Sequence, residues 1–330
     1  MVPSIIFRAL EITKGDHGTD MNIIHRSIDD LPEGELLIRV EYSSLNYKDA
    51  LSAIGAKGVT KEYPHTPGID AAGVIEKSED DQFPVGTSVI VTGFDLGMNT
   101  SGGFSEYIRV PSKWAVKCPD KLSTKDAMII GTAGLTAGLA VSEMEIKCDM
   151  KDAKVIVSGA TGGVGSIGVN LLSHLGANVT AITGKIESRE YLMDLGAKEV
   201  IDRNEFINST NLPLNKGVYN AALDAVGGKI LSCIIASMDH DGVVTVCGNV
   251  GGPRFETTVF PFILRSNHLI GIDSAGCSMR KRELVWENFS SDWKLNGLDQ
   301  MIKTVDLDNM IPEIQRILDG KQVGRILLEL

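Results

Sequence analysis

Cysteine and histidine are scarce in this chain of 330 residues, and both are scattered. The five cysteines, at 118, 148, 233, 247 and 277, are odd in number and form no Cys-x-x-Cys pair. That excludes a disulfide framework or a zinc ribbon as the organising device and fits reduced thiols in a cytoplasmic protein. The six histidines stand apart from one another. A catalytic zinc needs three well-placed N, S or O ligands, and no His/Cys cluster supplies them, so no metal is expected. Positive charge is in deficit, 32 Lys and Arg against 43 Asp and Glu. A net charge of −11 argues against a nucleic-acid or anionic-membrane surface, and any anionic ligand must be met by a local basic pocket. No apolar run approaches the ~20 residues of a membrane span. Residues 1–14 alternate like a strand and lack a charged-then-apolar leader. The remaining composition, 43% hydrophobic and 23% charged, is that of an ordinary soluble chain with room for two domains.

Glycine, by contrast, is plentiful, and its most informative cluster lies mid-chain. A buried-strand pattern, Val155 to Val157, runs into Gly163-x-Gly165-x-x-Gly168, and an apolar stretch of helical spacing follows through Ile167, Leu171, Leu172 and Leu175. Strand, glycine turn and helix in that order are the setting in which this motif binds a dinucleotide. One glycine makes the turn, one admits the pyrophosphate to backbone N–H groups, and one lets the helix pack on the strand. Thr161, Gly162, Gly163 and Val164 are therefore expected to hold the pyrophosphate at the positive end of the helix.

The next strand, 177–183, selects the cofactor. An NAD binder places Asp or Glu about 20 residues past the first glycine to hold the ribose 2′-hydroxyl. Here Thr183, Gly184 and Lys185 occupy that place, with Ser188 and Arg189 just beyond and Arg203 after the following strand. No carboxylate stands there to repel a 2′-phosphate and three cations lie near, so NADPH is expected. Read without a ligand, Lys185 and Arg189 are ordinary solvated residues at a helix start.

Short alternating or apolar runs dominate the first part, at 4–12, 35–42, 71–76, 88–93 and 104–110, separated by turn formers such as Leu31-Pro-Glu-Gly34. A helix rich in small residues starts near Ser123 or Thr124. From 151 to about 275, strands at 155–158, 179–183, 199–201, 221–224, 242–247 and 269–272 alternate with helices, the signature of a parallel, doubly wound sheet. Two helical patterns (282–293 and 311–318) and a last strand, 324–330, follow.

Several longer segments carry a resemblance. They include Ser44-Leu-Asn-Tyr-Lys-Asp-Ala50, Pro67-Gly-Ile-Asp-Ala-Ala-Gly73, Met128-Ile-Ile-Gly-Thr-Ala-Gly134 and Thr161-Gly-Gly-Val-Gly165. Tyr191-Leu-Met-Asp-Leu-Gly-Ala197, Val259-Phe-Pro-Phe-Ile-Leu-Arg265, Gly271-Ile-Asp-Ser274 and Gly324-Arg325 extend it. On these the chain resembles, from end to end, the medium-chain dehydrogenase/reductase superfamily on its zinc-free quinone-oxidoreductase side, and the acrylyl-CoA reductase group within it. The resemblance implies an α/β protein with a GroES-like β-rich catalytic domain (1–124 and 276–330) and an inserted Rossmann domain (125–275). It implies an active site in the cleft between them, and a homodimer joined through an edge of the nucleotide-binding sheet. Zinc alcohol dehydrogenases of the superfamily carry Gly-His-Glu where this chain has Gly68-Ile69-Asp70.

A reductase of this kind adds hydride to an activated carbon–carbon double bond. The protein must align the partners, stabilise charge on the carbonyl oxygen and deliver a proton. The groups to examine are Asn46 as amide donor, Tyr47 as proton donor or positioner beside the nicotinamide, and Lys48 with Asp49 as an ordering ion pair. The same four residues read equally well as the start of a helix, with Asn46 as N-cap and Tyr47 packed. Other quinone oxidoreductases carry their tyrosine a few residues on, where this chain has Leu51. Thr132 and Thr136 are candidates for the nicotinamide face or a phosphate. Cys247, Gly248 and Asn249, at a strand's carboxyl end, lie where open α/β sheets bind ligands. The resemblance adds Arg265, Ser274 and Arg325 as cleft-lining residues near the nicotinamide half. On an otherwise acidic chain, Arg280, Lys281 and Arg282 read either as basic groups for CoA phosphates or as an ordinary charged helix start on the surface. The expected activity is NADPH-dependent reduction of an α,β-unsaturated acyl-CoA such as acrylyl-CoA. A quinone or enone reductase and a nucleotide-binding sensor without turnover are the other readings.

Overall fold

The computed structural model describes residues 4–15, 18–210 and 212–330, and its chain divides into two units. One comprises the chain up to Thr132 with Ala275–Ser290 and Leu298–Leu330; the other comprises Ala133–Ser274 and Ser291–Gly297.

In the first unit, alternation of apolar and polar residues makes strands with one buried face. β1 (Ile6–Gly15) and β2 (Gly18–Ser27) form an antiparallel hairpin, with Phe7, Ala9, Leu10 and Ile12 turned into the core. After β3 (Leu36–Ser44) come the short helix α1 (Tyr47–Ala53), β4 (Asp70–Ser78), β5 (Ser88–Thr92), β6 (Tyr107–Val110) and β7 (Ala115–Lys117). Helix α2 (Thr124–Glu145) then leads into the second unit.

There the elements alternate: β8 (Lys154–Ser158), α3 (Gly163–His174), β9 (Asn178–Thr183), α4 (Arg189–Asp194), β10 (Glu199–Asp202) and α5 (Arg203–Ser209). β11 (Tyr219–Asp224), α6 (Gly228–Ser237), β12 (Met238–Val246), α7 (Phe260–Arg265) and β13 (His268–Gly271) complete the series. The sheet is parallel, in the order β10-β9-β8-β11-β12-β13. The strand order reverses between β8 and β11, and such a switch point is where open α/β sheets open a ligand crevice.

The chain returns to the first unit with α8 (Met279–Ser290), β14 (Ile302–Val305), α9 (Met310–Leu318) and β15 (Arg325–Glu329). β15 pairs antiparallel with β3, Leu327 opposite Ser44, so the sheet runs β14-β15-β3-β4-β5-β7, with β6 also on β3. The final strand thus belongs to the first unit, and the second lies between its parts in sequence. Strands β2, β7 and β14 went unanticipated. β7 and β14 span only 3 and 4 residues, too few to establish a period.

Two boundaries differ from expectation. The first unit extends to Thr132 rather than residue 124, because the backbone N–H of Thr132 is bonded to Asp70 of β4 and holds the first turns of α2 there. Residues 291–297 join the second unit, where Asn170 of α3 donates to Asn296 O and His174 bonds Asp292 O. The absence of a span-length apolar run also needs correction. Among the described residues α2 is long and apolar enough to cross a membrane, but most of it is buried in the protein.

At Gly131, α2 breaks from helical geometry (φ 52°, ψ −158°). A Cβ there would stand 2.6 Å from Asp70 Oδ2 and 2.7 Å from both Arg325 Nη2 and Ser44 Oγ, all buried. Gly131→Ala is expected to lower the unfolding free energy by about 3 kcal/mol or more, combining backbone strain with overpacking. Urea denaturation measures it, and a midpoint equal to wild type would refute the clash.

Candidate functional site

The dinucleotide cradle follows from backbone geometry. Leaving β8, the chain turns at Gly159 (φ +60°) and enters α3 at Gly163, after Gly162 as N-cap. A Cβ on Gly165 would overlap Gly159 O, and one on Gly168 would stand 2.9 Å from the Leu223 side chain on β11. Each glycine is therefore required by a close approach. The first-turn N–H groups of a helix have no partner within it, so those of Gly163, Val164 and Gly165 offer themselves to an anion. Thr161 and Thr183, both buried, set their hydroxyls 3.3 Å apart beside the turn. The turn has the side-chain-free surface that a pyrophosphate requires, and the residues fit the cofactor.

At the end of β9, Lys185 N–H donates to Thr183 Oγ1. Burial lowers the Lys185 ammonium's pKa; Glu187 works against this, and nearby Arg203 adds to it. Arg203 lies against Gly184. The carboxylate of the intervening Asp202 caps α5, accepting from the N–H groups of Asn204 and Glu205. Arg189 instead donates to Val200 O at 2.7 Å, which ties it to the strand end.

At the carboxyl ends of β11 and β12 two glycine turns interlock. Gly248 admits no Cβ beside Ala225 O, Gly228 none beside Gly251 O, and Gly251 N–H donates to Val226 O. The sequence reading named Cys247, Gly248 and Asn249 but missed the opposing Gly227-Gly228, whose positive φ values (72° and 57°) are visible only in the fold. Burial, with Asp224 adding, pushes the Cys247 thiol up to about 12, so it is no nucleophile at neutral pH. Asn249 is exposed, and the Thr136 hydroxyl bonds Ser274 Oγ at 2.7 Å.

In the first unit a buried carboxylate organises the start of α1. Asp70 accepts from Ser44 Oγ (2.7 Å), Asn46 Nδ2 (2.8 Å), Thr132 N (2.9 Å) and the Thr132 hydroxyl. The Arg325 guanidinium is 3.8 Å away and 1% exposed, and it donates to Ser44 Oγ, Asn46 Oδ1 and the carbonyls of Leu45 and Ile129. Thr132 and Arg325, both named as site candidates from the sequence, bond into the group around Asp70; Arg325 is buried there and Thr132 half-buried. Asn46 is the N-cap of α1, yet both its amide hydrogens go inward, to Ser44 O and Asp70. It has none left for a substrate oxygen. Sequence reasoning gave Asp70 no role; the only trace was an acid opening an otherwise apolar strand.

Asp49 is likewise buried. It accepts N–H bonds from Asn46, Gly68 and Ile69, so the expected pair with Lys48 does not form. Tyr47, at the first position of α1, is 39% exposed, and its hydroxyl has no hydrogen-bond partner among the described residues.

Burial pushes the Asp49 carboxyl up to about 7, with Asp70 adding to the rise and the three N–H donors opposing it. The folded chain keeps this proton to about pH 7, whereas an unfolded aspartate releases it near pH 4. Over that window the unfolded state binds fewer protons, so this group's contribution to stability falls as pH rises. Asp49→Asn is expected to flatten the decline, read as urea midpoints at about pH 4.5 and 7.5. Parallel declines in the two proteins would refute the assignment.

The other arginines are structural where the sequence allowed binding. Arg265 donates to Met238 O (2.6 Å), Ala236 O and Asn215 O, closing the end of α6. Arg282 is 1% exposed, donates to Thr92 and Ala275 O, and lies 4.3 Å over the Phe94 ring. Arg280 remains exposed. Among the described residues no group of three or more His, Cys, Asp or Glu side chains gathers to hold a metal.

Two family models match the chain. Residues 32–120 match the alcohol dehydrogenase GroES-like domain, and residues 163–291 match the zinc-binding dehydrogenase model. The chain is 41% identical to the putative quinone oxidoreductase YhfP of Bacillus subtilis, over 99% of this chain and all of YhfP. Acrylyl-CoA reductase AcuI of Ruegeria pomeroyi is 37% identical over 98% of this chain and 99% of its own. The structure of YhfP with NAD bound superposes with a TM-score of 0.96, covering 99% of this chain and 100% of that one. The yhdH oxidoreductase of Salmonella enterica in complex with NADP, 38% identical, gives 0.94 and covers 98% of this chain and 99% of its own.

Proposed function

Because the chain belongs to the medium-chain dehydrogenase/reductase superfamily, in its acrylyl-CoA reductase-like group, we propose that it reduces the carbon–carbon double bond of an α,β-unsaturated acyl-CoA such as acrylyl-CoA. Its cofactor is NADPH, and no metal takes part. The observation that carries the chemistry is the enclosed carboxylate. Where zinc alcohol dehydrogenases carry Gly-His-Glu, this chain has an isoleucine, and Asp70 has its oxygens occupied by Ser44, Asn46 and Thr132 beside Arg325. NADPH supplies a hydride to the β-carbon of the substrate.

Negative charge then grows on the substrate's carbonyl oxygen and α-carbon, and a proton must follow. The Tyr47 hydroxyl, exposed and unpartnered, donates it. Asn46 and Asp49 act behind it, holding the first turn of α1 from the side chain and from the backbone. The lack of an acid at the end of β9, with Lys185 and Arg203 there, supports NADPH over NADH, as does the NADP complex of the Salmonella relative.

A second copy of the chain fits the outer edge of β13, the last strand of its sheet, where Leu269 and the α7 side chains Phe260, Ile263 and Leu264 are exposed. Light scattering should give the mass of a dimer, and a monomer would remove this element of the proposal. Five free cysteines support a reducing, cytoplasmic setting.

The deciding experiment is NADPH oxidation with acrylyl-CoA, crotonyl-CoA and benzoquinone at equal concentration. Fast turnover of the short thioester with slow quinone reduction is expected. The reverse order would favour the quinone reductase reading, which the name of YhfP supports. Tight NADPH binding with no turnover of any would favour a sensor.

A further inference from the structure

Three glycine turns meet at the carboxyl ends of β8, β11 and β12, and one buried carboxylate ties them together. Asp224, the last residue of β11, is fully buried. Across to β8 it accepts from Ser158 Oγ at 2.5 Å, and that oxygen accepts in turn from Ala225 N–H. Ser158 is the last residue of β8, directly before the turn at Gly159. On its own side Asp224 accepts from the N–H groups of Gly227 (2.8 Å) and Val226, which fixes the turn into α6. Its carbonyl takes the N–H and the thiol of Cys247, just past the end of β12. A Cβ on Gly159 would stand 3.0 Å from the Val226 side chain, so the first two turns also lie against each other.

No lysine or arginine pairs with this carboxylate among the described residues, and hydrogen bonds alone oppose the cost of its burial. A strand end that needed only packing would be served better by an apolar side chain. β8 and β11 are also the strands between which the order reverses, and a dinucleotide passes there from one half of such a sheet to the other. We infer that Asp224 is a positioning residue for the dinucleotide, holding the Gly227-Gly228 turn in register with the Gly159–Gly165 turn through Ser158. The inference rests on the NADPH reading above. With the clasp cut, the turn after β11 has to be ordered when the cofactor binds, and that ordering subtracts from affinity. The loss falls on a ligand that spans both turns, and not on one that lies on the β8-β9-β10 half alone.

The test is calorimetric titration of NADPH and of its adenosine half, adenosine 2′,5′-bisphosphate, into wild type, Asp224→Ala, Asp224→Asn and Ser158→Ala, with thermal midpoints alongside. Asp224→Ala should weaken NADPH about tenfold or more and leave the half-cofactor within about twofold, because only the spanning ligand must order the turn. Asp224→Asn should return NADPH to within about threefold of wild type, since its amide can donate to Ser158 Oγ while its oxygen still accepts from Gly227. Ser158→Ala deletes only the cross-strand oxygen. It should show the same split between the two ligands, and it keeps the test decisive if Asp224→Ala does not fold. Wild type that fails to bind NADPH overturns the cofactor reading and this inference together. Where wild type binds NADPH, four results overturn the inference alone: a half-cofactor that does not bind, equal losses of both ligands in the alanine variants, unchanged NADPH affinity in them, or Asp224→Asn as weak as Asp224→Ala.

Discussion

Tyr47→Phe is expected to lower kcat by about 10²–10⁴-fold, the usual loss when a general acid is removed, while NADPH binding and the urea midpoint stay at wild-type values. The separation is expected because the Tyr47 hydroxyl makes no hydrogen bond among the described residues and the residue is 39% exposed, so folding gains little from that oxygen. A packed tyrosine would show the opposite pattern, a stability loss with turnover intact. Turnover within about twofold of wild type would remove Tyr47 as proton donor. The neighbouring groups make the assignment specific. Both amide hydrogens of Asn46 are engaged by Ser44 O and Asp70, and Asp49 receives three backbone N–H bonds. The tyrosine is thus presented from a helix start whose cap is fixed twice.

Asp70→Ala is expected to lower the unfolding free energy by about 3–5 kcal/mol, the cost of leaving a buried charge without its partner. Total stabilities are about 5–15 kcal/mol, so this loss takes a large share. The charge left behind is Arg325, 1% exposed, with Ser44, Asn46, Leu45 O and Ile129 O as remaining acceptors. The same substitution removes the acceptor for Asn46 Nδ2 and Thr132 N, so the first turns of α1 and α2 loosen together. Adding Arg325→Met should recover part of the loss, because two missing charges leave none unpaired. A single variant within about 1 kcal/mol of wild type, by urea denaturation, would refute a central role for the pair.

How much of this was legible in the sequence depended on how local each cause is. The glycine turn could be read because Gly165 and Gly168 answer to atoms within one βα unit and its neighbouring strand. The parallel sheet could be read because its strands are apolar runs at regular spacing. Arginine was the hardest residue to read. Arg265, Arg282 and Arg325 looked like ligands for phosphates or the nicotinamide half, and each is committed to carbonyls far away in sequence, such as Thr92 O and Arg282 across 190 positions. A guanidinium can satisfy bare carbonyls as readily as phosphates, and the sequence does not say which it meets. Asp70 escaped attention for the complementary reason, since its partners come from β3, the turn before α1, α2 and β15.

The sequence by itself determined the two-domain α/β architecture, the dinucleotide cradle and the acid-free end of β9, because those depend on backbone freedom, periodicity and side-chain charge within short segments. Only the tertiary structure decided which polar groups are spent and which are available. Burying Asp70 with Arg325 required donors and acceptors from elements up to 281 positions apart, a juxtaposition that no short segment of the sequence announces.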